Sequence, residues 1–169
     1  FLASMGIYVF NRDALRRLLD NDLVDFGKHV IPMSISNSRV FSYVFQGYWE
    51  DVGTIRSFFE ANLEVAAELP RFNFFDMSAP VFTRPRFLPA SKFNGAIIEH
   101  AVISDGCIIN HARINNCVVG IRSIVGAGSD LHRVVALGND YYESQSSILE
   151  NESVGKPRMG IGQKTRIEN

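Results

Sequence analysis

The 169-residue sequence has little of several things, and each shortage closes a class of function. Only two cysteines occur, Cys107 and Cys117. They lie in a Gly- and Asn-rich stretch without CxxC spacing, which speaks against a zinc centre and against a disulfide scaffold. Free thiols in a reducing cytosol are the expectation. Excess charge is also missing: the formal net charge is −1. Bulk attraction to nucleic acid or to an anionic membrane is therefore not expected, and no basic stripe interleaved with aromatics is present. The apolar runs fall far short of the roughly 20 residues a membrane span needs. The opening "FLASMGIYVF" has no basic leader and reads as an interior strand, not a signal peptide. The sequence also stops inside a repeat pattern, so a piece of a longer protein is expected. A hydrophobic share of 46% is enough for a sizeable core.

Residues 4–10, "SMGIYVF", read as a short buried strand. Asn11 stands where a helix N-cap belongs, and "RDALRRLLD" puts Leu15, Leu18 and Leu19 on one helical face. "NDLVDFGKHVIPMSIS" reads as a loop and a short helix capped by Asp25, with Phe26, Val30 and Ile31 as core. Pro32 is awkward there for a long helix, and His29 receives no role. A strand is expected at 39–45, a tight turn at Gln46-Gly47 and a second short strand at 48–51. Thr54 would cap a helix running from Ile55 to Leu69, with Phe58, Leu63 and Ala66 as its packed stripe. Residues 71–95 are rich in Pro and Phe and read as an extended interdomain linker with aromatic anchors. The expected division is 1–70, 71–95 and 96–169.

Beyond the linker the apolar period becomes six. Ile97, Ile103 and Ile109 are spaced so, as are Val102, Ile108 and Ile114. After a slip, Val119, Val125, Leu131 and Leu137 resume. Past an insertion, "NDYYESQSSILENESVGKPRM", Ile161 and Ile167 repeat the spacing. A six-residue apolar repeat with Gly, Asn, Asp and Ser between is the signature of a parallel β-helix. Period-2 alternation in a β-sandwich would not give strict sixes.

One stretch, "FQGYWEDVGTI", sets Glu50 and Asp51 side by side after Tyr48 and Trp49. A plain strand-to-helix corner needs one capping residue. From these residues alone, Asp51 could simply belong to the capping turn, with Trp49 in the core.

"ASMGIYVF", "DFGKHVIP", "GYWEDVGTI", "FTRPRFLPASK", "NDYYES" and "GIGQKTRIEN", in this order, resemble the glucose-1-phosphate adenylyltransferases along essentially the whole chain. The resemblance implies an α/β, Rossmann-like nucleotidyltransferase fragment followed by a left-handed parallel β-helix of hexapeptide repeats. It implies ATP and glucose-1-phosphate as substrates and Mg2+ as cofactor. The products would be ADP-glucose, for glycogen or starch synthesis, and pyrophosphate. It implies small phosphorylated or anionic effectors and a homo- or hetero-tetramer, with no nucleic acid and no membrane. The family's Gly-rich triphosphate loop, upstream Asp and sugar-phosphate Lys are not matched in these residues, so the chain alone is not expected to turn over.

The resemblance also assigns roles. Asp51 matches a magnesium ligand, as a hard cation held by carboxylate oxygen would require. Gly53 would permit close backbone approach. Ser4, with Gly6 on the same stretch, would bond a sugar hydroxyl; otherwise Ser4 is a hydroxyl bonded to backbone. Trp49 either walls the sugar pocket or packs in the core. Glu50 is a substrate-binding candidate, with a structural role as the alternative. Arg84 and Arg86, flanking Pro85, would offer guanidinium forks to an anionic effector. Lys164 lies near an effector-binding position that in this sequence falls on Gln163, which leaves the effector open.

Two other functions remain in view. One is a regulatory, non-catalytic subunit of the same family. The other is a hexapeptide-repeat acyltransferase using His100, His111 or His132, which would leave "YWEDVGT" idle.

Overall fold

The computed structural model describes residues 3–169. Two compact units divide the chain, Phe1–Gly47 and Tyr48–Asn169.

In the first unit, α1 (Arg12–Leu18) starts as its sequence directs. The Asn11 side chain accepts the Asp13 and Ala14 amides, at 3.0 and 3.4 Å. Leu18 is buried and Leu15 half-buried, while Leu19 closes the helix in solvent. Asp25 also caps as expected, accepting the Lys28 amide at 2.8 Å. Behind it lies a π-helical turn, Phe26–Val30, that runs into α2 (Ile31–Asn37). Pro32 falls in the first turn of α2, directly after this wide turn. Val30 is buried and Ile31 half-buried. Phe26 instead joins Tyr8 and Phe10 in a small aromatic group, with centroids 6.1–6.5 Å apart.

The strands expected at 4–10, 39–45 and 48–51 are not formed: these residues have no paired neighbour. A strand exists only when another takes up its N–H and C=O groups. No such partner occurs among the described residues. Their β-forming side chains stand in solvent, Val9 at 96% and Tyr43 at 88% exposure.

The second unit holds α3 (Ile55–Glu64) and eight parallel-paired strands. These are β1 (Lys92–Asn94), β2 (Ile97–Ile103), β3 (Ile108–Asn110), β4 (Arg113–Val119), β5 (Ile124–Val125), β6 (Asp130–His132), β7 (Val135–Ala136) and β8 (Arg166–Glu168). β1, β3 and β5 form one face. β2 and β4 each bend in the middle, so their first halves pair with each other and their second halves form a third face. β6 then pairs the first half of β4 and β7 the second. Successive strands of a face lie directly over one another, as in Lys92 over Ile108 and Ile108 over Ile124. This is the expected parallel β-helix.

Its interior departs from the expected strict sixes. The fully buried large side chains are Ile109, Ile114, Val119, Val125 and Leu131. Two residues before each stands a buried small one: Cys107, Ala112, Cys117, Ser123 and Ser129. Side chains alternate across a strand, so both members of such a pair face inward. The step between pairs is five or six residues, and a one-residue slip turns a side chain to the other face. Val102 and Ile108 are therefore only half-buried, Ile97 is 54% exposed, and Leu137 is 76% exposed beside the inward row.

Corners carry the turns. His100, His111, Asn116, Arg122, Arg133 and Lys164 all adopt positive φ, between 44° and 57°. Left-handed backbone at a non-Gly residue costs about 1–2 kcal/mol. It is sustained here because pairing with adjoining coils fixes the corners. The two thiols are free and buried. Burial raises the pKa of both, most directly by desolvating the thiolate. The insertion after β7 contains α4 (Gln145–Ser153). Tyr142 ties it to the coils by donating to the Gly106 carbonyl at 2.7 Å.

α3 ends earlier than expected, at Glu64 instead of Leu69. The amides of Val65, Ala66 and Ala67 bond back three residues, to Asn62, Leu63 and Glu64, which tightens the chain into 3₁₀ turns. The inward face is Phe59, Leu63 and Ala66; Phe58 is displaced outward at 41% exposure. That face lies against β4 and β7. Arg133 fastens it, donating to both Glu60 carboxylate oxygens at 3.1 and 3.2 Å. Its guanidinium also lies 5.8 Å from the Phe59 ring centre.

Two substitutions separate the observed interior from the strict six-residue reading. Ile114→Ala should destabilise the protein by about 3 kcal/mol, because it opens a cavity in the stacked core. Ile97→Ala should cost less than about 1 kcal/mol, as surface changes do. Chemical denaturation of both variants checks this, and equal losses would contradict the observed step.

Candidate functional site

The stretch from Tyr48 to Arg71 gathers most of the chemically suggestive groups of the second unit. Asp51 lies just ahead of α3. Its Oδ1 accepts the Gly53 amide at 3.0 Å, a side chain-to-backbone turn that redirects the chain. The approach is close enough that a Cβ on Gly53 would sit 3.1 Å from the same oxygen. A larger residue at this position would push the carboxylate aside by a few tenths of an ångström. Thr54 then does the capping. Its Oγ1 accepts the Ser57 amide at 3.0 Å while Ser57 Oγ accepts the Thr54 amide at 3.1 Å, a reciprocal box. Because Thr54 satisfies the helix start, Asp51 is not needed as the cap. Its carboxylate is exposed, and Gly53 occupies only part of its acceptor capacity.

Glu50 has a different setting. Arg71 Nη1 approaches its Oε2 at 3.6 Å. The same guanidinium donates through Nε to Glu64 Oε1 at 3.0 Å and lies 4.9 Å from the Tyr48 ring centre. The Arg71 amide adds a longer bond to Glu64 Oε1, at 3.3 Å. The Arg71 side-chain bond is the main reason Glu64 has a lowered pKa, and Glu64 in turn raises that of Arg71. Both groups are solvent-exposed, so screening keeps the stabilisation small. Trp49, between Tyr48 and Glu50, is 45% exposed. Among the described residues no three His, Cys, Asp or Glu side chains gather into a self-contained metal cage.

Ser4 and Gly6 belong to the first unit. The Ser4 hydroxyl accepts the Gly6 amide at 3.2 Å and shares a hydrogen bond with the Tyr8 hydroxyl at 2.9 Å. Gly6 has φ +72°, which favours glycine, and a Cβ there would meet open space. In the linker, Arg84 and Arg86 are exposed, and Arg86 Nη1 donates to the Arg84 carbonyl at 3.1 Å. Neither forms an ion pair with a carboxylate among the described residues. Lys164 is an exposed corner residue whose amide donates to the Ala127 carbonyl at 2.9 Å. Gln163 beside it is also exposed. Of the three histidines in the coils, His100 and His111 are corner residues. His132 lines an outer groove of about 300 Å³ with Glu99, Asp130 and Glu168.

Little in the sequence marks Arg71 or Arg133. Arg71 stands at the start of the expected linker, and its only signal is a basic residue just past a helix end with Glu64 seven positions before it. For Arg133 nothing local points to Glu60, which is 73 residues away.

Thr54→Ala should cost about 1 kcal/mol through loss of the reciprocal cap. Hydrogen exchange should rise at the α3 amides and stay unchanged at β3 and β4. Unchanged α3 protection would show that packing on the coils, not the cap, sets the helix start.

Comparison with known proteins agrees with this layout. Residues 1–68 match the nucleotidyl transferase family and residues 86–169 match the GLGC left-handed parallel β-helix domain. An α/β nucleotidyltransferase segment followed by a left-handed β-helix is therefore the fold class. The chain is 42% identical over 172 aligned residues to the maize (Zea mays) glucose-1-phosphate adenylyltransferase large subunit 1, chloroplastic/amyloplastic. All of this chain is covered, and 33% of the maize protein. It is 41% identical over 172 aligned residues to the barley (Hordeum vulgare) glucose-1-phosphate adenylyltransferase large subunit 2, covering all of this chain and 95% of that one. The chain spans about a third of the first relative and nearly all of the second. With the whole chain aligned at this identity, it belongs to the glucose-1-phosphate adenylyltransferase family.

Proposed function

We propose that the full-length protein carrying this chain transfers an adenylyl group from ATP to glucose-1-phosphate. A phosphate oxygen of the sugar phosphate attacks the α-phosphorus of ATP. The bond to the β-phosphate breaks, pyrophosphate leaves, and ADP-glucose forms for glycogen or starch synthesis. The observation that carries this reading is the exposed Asp51 carboxylate, held beside Gly53 while Thr54 separately caps α3, in a chain similar throughout to two adenylyltransferase subunits.

The residues present fit Mg2+. This ion commonly takes one or two carboxylates and completes its shell with water and substrate phosphates, so a lone Asp without a protein cage suits it. Bound there, it would offset the charge of the converging phosphates. Asp51 would hold one side of that shell, and the Gly53 amide would fix its carboxylate in place. Ser4 and Gly6 would serve the sugar, with the Ser4 hydroxyl exchanging its Tyr8 partner for a glucosyl hydroxyl. Trp49 would offer a partly exposed ring to the sugar, and Glu50 would keep the adjacent backbone in place. Arg84, Arg86 and Lys164 would supply cationic groups to phosphorylated or anionic effectors.

Both relatives are named large subunits. That observation favours a hetero-oligomer, with a tetramer the expected assembly, and keeps a regulatory, non-catalytic role as the second reading. Among the described residues no helix is long and apolar enough to cross a membrane. A plastid location is proposed for a plant source, a cytoplasmic one otherwise.

Asp51→Asn in the full-length protein is the direct test. Asn retains an oxygen that can accept the Gly53 amide, so the turn survives and only the charge is lost. Pyrophosphate release from ATP and glucose-1-phosphate should fall on the order of a hundredfold or more, with folding unchanged. A nearly normal variant would remove Asp51 from the site. An inactive wild type that alters a partner subunit's activity would establish the regulatory reading.

A further inference from the structure

We propose that Arg71 is a positioning residue for Asp51, acting by clamping Tyr48 and Glu50, the residues leading into it, to the far end of α3. The inference rests on the reading of Asp51 as a metal-binding carboxylate. The geometry supplies four contacts from one side chain and its amide. Nε and the amide reach Glu64 Oε1 at 3.0 and 3.3 Å. Nη1 reaches Glu50 Oε2 at 3.6 Å. The guanidinium carbon lies over the Tyr48 ring, 4.9 Å from its centre.

These contacts close a loop in the chain. Asp51 and Thr54 are fixed to the start of α3, and Glu64 is at its end. Arg71 returns to bridge that end to Tyr48 and Glu50, directly before Asp51. The carboxylate is thereby held from both sides, by the Gly53 amide after it and by the Arg71 clamp before it. α3 itself is fastened to the β-helix by Glu60 and Arg133. An isolated exposed ion pair would hold little, but a guanidinium shared among two carboxylates and a ring forms a network. Lysine could supply the charge. It could not supply the separate Nε and Nη1 donors that reach Glu64 and Glu50 while the group lies over the Tyr48 ring. The side-by-side carboxylates then have separate duties: Glu50 anchors the backbone and Asp51 presents its oxygen.

The test uses full-length protein with Arg71→Gln, Arg71→Lys and Glu50→Gln. Amide exchange is read in the segment 48–54 and, as a control, in β3 and β4. The Mg2+ concentration at half-maximal rate and kcat at saturating Mg2+ are read alongside. Arg71→Gln should speed exchange at Gly53 and Thr54 and leave the coils unchanged. Half-saturation should rise about tenfold, the size expected for losing a group that orients a metal ligand. At saturating Mg2+, kcat should stay within about threefold. Glu50→Gln should act in the same direction, and Arg71→Lys should recover only part of the protection. Unchanged exchange and unchanged half-saturation in Arg71→Gln would overturn the proposal, as would full recovery by lysine. If glutamine also loosens β3 and β4, the lysine variant decides by the same two readouts. A wild type without turnover would refute the enzymatic reading, while the exchange comparison would still decide whether Arg71 clamps this segment.

Discussion

The second unit depends on one packing constraint: each face of the coil must send inward a small side chain and, two residues later, a large one. Pairs such as Cys107 with Ile109 and Cys117 with Val119 meet it, and their large members have no exposed surface. The rest follows in sequence. Inward pairs on three faces force a corner between faces, and the corners adopt left-handed backbone even where the residue is His, Asn or Arg. At Arg133 the corner residue is long and charged, and it reaches Glu60 and the face of Phe59. Glycine would sit there with less strain but could make neither contact. α3 is thereby held on the coils, and the Asp51 turn is held on α3.

Around Asp51 the electrostatics divide the work among neighbours that look redundant in the sequence. Thr54 and Ser57 satisfy the helix start. Gly53 fixes one carboxylate oxygen of Asp51. Arg71 engages Glu50. The carboxylate of Asp51 stays exposed, with acceptor capacity left for the cation proposed above. With Thr54 as the cap, neither carboxylate oxygen of Asp51 is drawn to the helix start.

What was legible in the sequence was local or periodic. Asn11, Asp25 and Thr54 act within three residues of themselves, so their capping could be read directly. The β-helix showed because its interior repeats, and the insertion showed because the repeat breaks and returns. The six-residue step holds at Val119, Val125 and Leu131, but is five from Ile109 to Ile114 and to Val119, and apolar residues such as Ile97 lie on the outer face. The early end of α3 was missed because nothing between Glu64 and Pro70 is a strong breaker. The runs at 4–10 and 39–45 carry the composition of strands, yet composition cannot provide a neighbour to pair with. Arg133 is illegible for the opposite reason: its meaning lies in a partner 73 residues away, and that of Arg71 in part across the whole of α3, at Tyr48 and Glu50.

The central claim is that Asp51 presents its carboxylate to a divalent cation. Crystals of the full-length protein grown with ADP-glucose and Mn2+ in place of Mg2+ would test it through the anomalous signal of manganese. The account predicts a peak about 2.0–2.3 Å from an Asp51 carboxylate oxygen, shared with phosphate oxygens. A peak bound elsewhere, with Asp51 still bonded only to the Gly53 amide, would contradict it.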